Sequence, residues 1–329
     1  MTNTSSEITM SRVSAESIFG AIGEHLGDAK GEVPVFSIPE DNKLSENVPA
    51  QIDYFYNRNN LRDLLAWNEL TQGEGLFFSG PPGSGKSTLV SAVCAKLCIP
   101  LFSFVGHQNL EWESLVGGIG FYNGRTVFQP GPLTMALKDG AWFLLDEVDL
   151  IPAGVLTALN QVLDGRGLTT PAGTYVRPHK NFRLLVTANT WGDGTSAQFV
   201  GTQKLNTAFL DRFMRVYVDY PDEDHEVAIL ENAFKGTVDK KIIQGMVKLA
   251  VLIRDAFKSS QCNVTLSTRA LVRWAEYSMA LERSLVAEGT SQDALAYTFR
   301  KFVLAGANKA SKIAILSFYN QTIGSFPED

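Results

Sequence analysis

Between about Gln51 and Tyr220, short runs of consecutive apolar residues alternate with longer stretches of helical spacing. The runs "GLFFSG", "PLFSFVG", "AWFLLDEV", "RLLVTANT" and "MRVYVDY" are nearly continuous in apolar character. That pattern suits strands covered on both faces, and it predicts five parallel strands joined by crossover helices in a doubly wound α/β layer. After "DYPDEDHE" the strand-like runs stop. "VAILENAF", "KKIIQGMVKLAVLIRDAF", "STRALVRWAEYSMALERSLV" and "YTFRKFVLAGAN" place apolar residues at helical intervals, so 221–329 reads as a smaller all-helical domain behind an α/β domain at 51–220. Residues 1–50 mix short apolar patches ("ESIFGAIG", "VPVFSIP") with charged, Pro-containing spacers. They read as an N-terminal extension, partly mobile, rather than as core.

Composition narrows the class. A chain of 329 residues that is 45% hydrophobic can bury a substantial core and more than one domain. No apolar run approaches the roughly 20 residues of a bilayer span, and the polar opening "MTNTSSEITMSRVSAES" lacks a secretory layout. A cytoplasmic protein with no membrane partner is expected. The net charge of -6 disfavours a sequence-wide affinity for phosphate backbones, leaving local basic patches as the route to nucleic acid. Cys94, Cys98 and Cys262 form no CxxC pair. The first two, four apart on a predicted helix, should share a face as buried small hydrophobes. His25, His107, His179 and His225 are scattered without metal-ligand spacing.

The chemistry concentrates at "FFSGPPGSGKSTLV". Gly80, Pro81, Pro82, Gly83, Ser84, Gly85, Lys86 and Ser87 fit G-x-x-x-x-G-K-[ST] between a strand and a helix, with Thr88 in the helix's first turn. In that setting backbone N–H groups and the helix N-terminus face phosphates, Lys86 reaches the terminal ones, and the Ser87 hydroxyl ligates magnesium. The expected cofactors are ATP and Mg2+. "AWFLLDEVDL" supplies the partner acids at a strand end: Asp146 to hold magnesium through water, Glu147 to polarise the attacking water. "VTANT" puts Asn189 at the edge of the next strand. An amide there can orient the lytic water, although Asn at a strand end is also a common turn residue. Arg212 in "LNTAFLDRF" and Arg269 in "LSTRALVRW" carry the planar fork that spreads phosphoryl charge, and each alone also fits a surface ion pair.

In this order the motifs resemble those of the AAA+ ATPases, and within them the MoxR-like group that contains the cobaltochelatase ring subunit CobS. The likeness also covers "VPVF", "NFRLLVTANT", "GTQKLNTAFLDRF" and "STRALVRWAE", so about Ser17 to Ala314 is similar. "LVGGIGFYNGRTVFQPGPL", turning at Asn123-Gly124, resembles the hairpin this group inserts into its second helix. "LTTPAGTYVRPHKNF", turning at Pro171 to Gly173, resembles its pre-sensor hairpin. The resemblance implies a P-loop NTPase core with a helical lid. It makes Lys86 and Ser87 Walker A, Asp146 and Glu147 Walker B, Asn189 sensor 1, Arg212 a finger acting on the neighbouring subunit, and Arg269 sensor 2. Tyr54 or Phe55 in "IDYFYNRNN" would line the adenine pocket. A finger working in trans implies a homo-oligomeric ring, usually a hexamer. The group implies a partner with a von Willebrand factor A domain and a remodelling or cobaltochelatase-like role. The alternative is a nucleic-acid motor or loader, for which the Arg125 hairpin and "YVRPHKNF" offer a few basic residues.

Overall fold

A computed structural model describes residues 7–71, 73–194, 201–287 and 293–327. The chain separates into two units. One holds the chain up to Pro81 together with Lys86–Val218, and the other holds Pro82–Gly85 together with the chain from Asp219.

In the first unit, β1 (Thr9–Ser14) and β2 (Glu32–Ser37) pair antiparallel. Then follow β3 (Gly75–Ser79), β4 (Leu101–Val105), β5 (Gly117–Tyr122), β6 (Arg125–Pro130), β7 (Trp142–Asp146), β8 (Leu168–Thr169), β9 (Tyr175–Val176), β10 (Arg183–Ala188) and β11 (Phe213–Tyr217). Five of these form one parallel sheet in the order β11-β3-β10-β7-β4, and they are the five runs expected from the sequence. Alternate residues of each strand feed opposite cores. Phe77, Phe143, Leu145 and Val186 pack with Leu133, Leu137 and Leu159 on one face. Leu76, Phe78, Leu144 and Leu185 pack with Leu61, Leu65, Val90 and Val93 on the other. β3, β7 and β10 are buried on both faces, which is why they read as unbroken apolar runs, whereas the edge strands β4 and β11 leave Val105, Met214 and Tyr217 exposed.

Both inserted hairpins are present. β5 and β6 pair around Asn123 and Gly124, whose φ values of 49° and 76° are those of a type I′ turn. β8 and β9 pair around a turn closed by Gly173 N–H to Thr170 C=O at 2.8 Å.

Two expectations change. The leading segment is part of the core: Ala15 and Val33 are fully buried, and with Phe19 and Leu26 they join the cluster containing Val90 and Val93. Its patches looked too short for a core because a two-stranded ribbon and a single helical turn each expose only a few inward positions. Cys98 lies one residue past the helix Lys86–Leu97, in left-handed backbone at φ 53°, so it does not share a helical face with Cys94. The chain turns there because Pro100 cannot continue a helix, and Ile99 N–H caps Cys94 C=O at 2.8 Å.

The second unit is helical: Glu223–Phe234, Lys240–Lys258, Thr268–Ala287, Ala294–Phe302 and Lys309–Thr322. Asp222, Asp239, Asp293 and Asn308 each accept a backbone N–H at a helix start. Its core centres on Trp274, Phe299, Tyr319, Leu230 and Ile253.

Candidate nucleotide site

β3 carries the chain to the carboxyl edge of the sheet and releases it at Gly80. A Cβ there would meet Val218 C=O at 2.0 Å, so only glycine lets the loop leave between β3 and the end of β11. The helix starting at Lys86 returns the chain along the sheet. Lys86 is buried, and its ammonium donates to Gly80 C=O at 2.7 Å, Pro81 C=O at 2.9 Å and Asn189 Oδ1 at 3.1 Å. A buried ammonium is held in place only if its donors are used. Here the loop's own carbonyls and one side-chain amide use them.

Ser87 Oγ donates to both carboxylate oxygens of Asp146, at 2.8 and 2.9 Å. Thr187 Oγ1 donates to Asp146 Oδ1 and itself accepts the Glu147 N–H at 3.2 Å. Thr187 escaped the sequence reading; its signal is one hydroxyl inside an apolar run, on the strand whose Val186 pairs with Leu145 of β7. Glu147 sits at φ 56°, ψ 47°. A non-glycine residue there stores about 1–3 kcal/mol of backbone strain, the kind that accompanies sites where a side chain must be aimed.

Asp149 was also missed. It is fully buried, and Asp149 Oδ2 accepts the N–H of Asn189 at 3.1 Å. Burial raises its carboxyl above the usual range, and the hydrogen bonds it accepts oppose that rise.

Residues 75–213 match the family described as AAA domain (dynein-related subfamily), and 226–299 match the CbbQ/NirQ/NorQ C-terminal family. The aerobic cobaltochelatase subunit CobS of a Sinorhizobium species is 32% identical over 251 residues, covering 73% of this chain and 75% of that protein. This chain is an AAA+ ATPase of the MoxR-like group. NorQ of Paracoccus denitrificans is 30% identical over 217 residues, covering 64% of this chain and 77% of its own. Among solved structures, a point mutant of RuvB from Thermotoga maritima shares the fold at TM-score 0.50 and 14% identity, covering 77% of this chain and 73% of that one.

The remaining candidates of this AAA+ chain have surroundings of their own. Arg212 donates from Nε to Asp164 Oδ1 at 2.8 Å and from Nη1 to Ala208 C=O. Arg269 is exposed in the first turn of the helix Thr268–Ala287, in the other unit. Pro82–Gly85 also group with that unit, where the Tyr220 hydroxyl donates to Pro82 C=O at 2.9 Å. Ser84 Oγ is buried with no partner among the described residues, and Thr88 is half-buried. The Tyr54 ring packs edge-on against Tyr56 at 5.0 Å, within the apolar cluster that holds Phe19, whereas Phe55 is 37% exposed. Burial raises the Tyr54 hydroxyl's pKa and pushes that of Tyr56 up to about 12.

Proposed function

We propose that this AAA+ ATPase hydrolyses ATP with magnesium in a homo-oligomeric ring, a hexamer, and uses the cycle to remodel a partner protein. The observation that carries the reading is the continuous contact from Lys86 through Asn189 on one side and from Ser87 through Asp146 and Thr187 to Glu147 on the other. The donor set fits magnesium: a hydroxyl and two carboxylate oxygens converge, hard ligands few enough to leave room for water and phosphate oxygens. Bound MgATP supplies a phosphoryl group whose charge the ion helps to neutralise. Lys86 would turn from its loop carbonyls to phosphate oxygens, and Ser87 and Asp146 would hold the ion. Glu147 takes a proton from the attacking water, and Asn189 orients that water.

Arg212 supports the ring reading. Its bond to Asp164 joins side chains that are 31% and 30% exposed. An ion pair that open is weakened by solvent screening, so it can be exchanged for a phosphate on a neighbouring subunit. Arg269 completes the set as sensor 2, and Tyr54 or Phe55 borders the base.

The likeness to CobS supports a motor subunit of a cobaltochelatase-like complex working with a von Willebrand factor A-domain protein. No helix among the described residues is long and apolar enough to cross a membrane, and a cytoplasmic site of action is proposed. The test is capture from the native host with Glu147→Gln protein held in ATP, with and without nuclease. A von Willebrand A-domain protein that survives nuclease is the expected result. Nuclease-sensitive nucleic acid would replace this reading with that of a nucleic-acid motor contacting Arg125 and Arg177 on the two hairpins.

A further inference from the structure

Asp149 closes the "DEVD" stretch, and none of the roles given to the site so far uses it. It lies in the single 3-10 turn Val148–Leu150, fully buried. One carboxylate oxygen, Oδ2, accepts three hydrogen bonds: from Asn189 N–H at 3.1 Å, Thr190 N–H at 3.2 Å and Thr190 Oγ1 at 3.0 Å. The other oxygen is buried with no hydrogen-bond partner among the described residues. Burying a carboxylate is costly unless it is hydrogen-bonded, and an apolar residue here would leave the Asn189 and Thr190 N–H groups without this acceptor. Its three bonds therefore mark what the position does.

Those donors sit where β10 leaves its ladder. Pairing with β3 ends at Ala188 opposite Ser79, and the next two N–H groups turn to Asp149. From the opposite side, Ser79 Oγ donates to Thr190 C=O at 2.9 Å. The Asn189–Thr190 backbone is thus gripped between the segment after β7 and the strand that leads into the phosphate loop. With its backbone held on both sides, Asn189 presents Oδ1 to Lys86 Nζ at 3.1 Å. Asp149 C=O also accepts Gln203 N–H at 2.7 Å, which ties the returning chain to the same turn.

We propose that Asp149 is a positioning residue for phosphoryl transfer: its carboxylate latches the Asn189–Thr190 backbone and so aims the Asn189 amide at Lys86 and the terminal phosphate. This rests on the reading of Asn189 as the sensor of the reaction. The latch couples the sensor to Glu147, two residues before Asp149, because both lie on the turn that follows β7.

The test combines steady-state ATPase rates, nucleotide affinity by titration, and peptide-level hydrogen exchange over 183–194 in the full chain. Asp149→Ala should lower kcat by about tenfold to a hundredfold, the usual effect of removing a group that orients another, while nucleotide affinity changes by no more than about threefold. Exchange at the Asn189 and Thr190 amides should accelerate. Asp149→Asn keeps an acceptor oxygen for the same donors and should restore most of the rate. In the Asp149→Ala, Asn189→Ala double variant the loss should match the larger single loss, because the two act as one unit.

If Asp149→Ala does not fold, Thr190→Val removes one donor to the carboxylate without changing side-chain volume, and it should give the same pattern in smaller measure. Unchanged exchange together with unchanged kcat would overturn the latch, as would additive losses in the double variant. An unchanged kcat in Asn189→Ala would instead remove the sensor reading, while the exchange data would still decide whether Asp149 holds that backbone.

Discussion

The helical unit contains an ion pair whose contribution can be worked out. Glu226 and Arg254 have side chains 1% and 6% exposed, and the carboxylate accepts from Nη2 and Nη1 of the guanidinium at 2.8 Å each. Arg254 Nε donates to Leu266 C=O at 2.7 Å, and the guanidinium lies 3.9 Å from the Tyr220 ring centroid. Thr268 Oγ1 donates to Glu226 as well, next to Arg269 at the helix start. With both side chains out of water there is no solvent to rescue either charge. Glu226→Leu should therefore cost about 3–5 kcal/mol, the usual penalty for leaving one buried charge uncompensated, and Arg254→Met a similar amount. The double variant strands no charge; it leaves Leu266 C=O and Thr268 Oγ1 each short of one bond, at about 1 kcal/mol apiece. Its total should fall at least about 2 kcal/mol below the sum of the single losses. Urea unfolding by far-UV circular dichroism gives the free energies, and hydrogen exchange in the helix Lys240–Lys258 assigns the loss to this unit. A single-variant loss below about 1 kcal/mol, or additive losses, would refute the assignment of a coupled buried pair.

Three further outcomes test the nucleotide site and its surroundings. Arg212→Ala and Lys86→Ala chains, each inactive alone, should recover ATPase activity when mixed, because an intact arginine then faces an intact phosphate loop; no recovery in assembled mixed rings would rule out action across an interface. Ser87→Ala removes the hydroxyl bound to Asp146 and should raise the magnesium concentration for half-maximal activity by about tenfold, measured by titrating the metal at saturating ATP. In the native chain a thiol reagent should label half-buried Cys98 first, with Cys94 and Cys262 reacting only on unfolding, since both are buried and burial pushes the Cys94 thiol well above its usual pKa. Mass spectrometry of the labelled peptides reads this directly.

The sequence alone specified whatever is set by neighbours along the chain. "GPPGSGKS" determines its loop because Gly80, Gly83 and Gly85 take positive φ at no steric cost and a helix follows at once. The three central sheet strands were legible because two-sided burial writes itself as unbroken apolar runs, and the turn at Asn123-Gly124 because that dipeptide takes positive φ at low cost. Asp146, Glu147 and Asn189 could be picked out as polar residues at strand ends.

Tertiary structure decided what depends on strand order and on partners remote in sequence. Placing β10 between β3 and β7 brings Asn189 to Lys86 across 103 positions and Thr187 to Asp146 across 41. No local pattern marked Asp149 as a latch, because its value lies in three donors just past the end of β10. The same holds for Glu226 and Arg254, 28 residues apart, which only folding buries against each other. The leading segment behaves likewise: Ala15 and Val33 become core only when the sheet's helices supply a surface for them to cover. Local rules act through backbone geometry and periodicity, whereas the reach of one side chain to another is fixed only when the layers assemble.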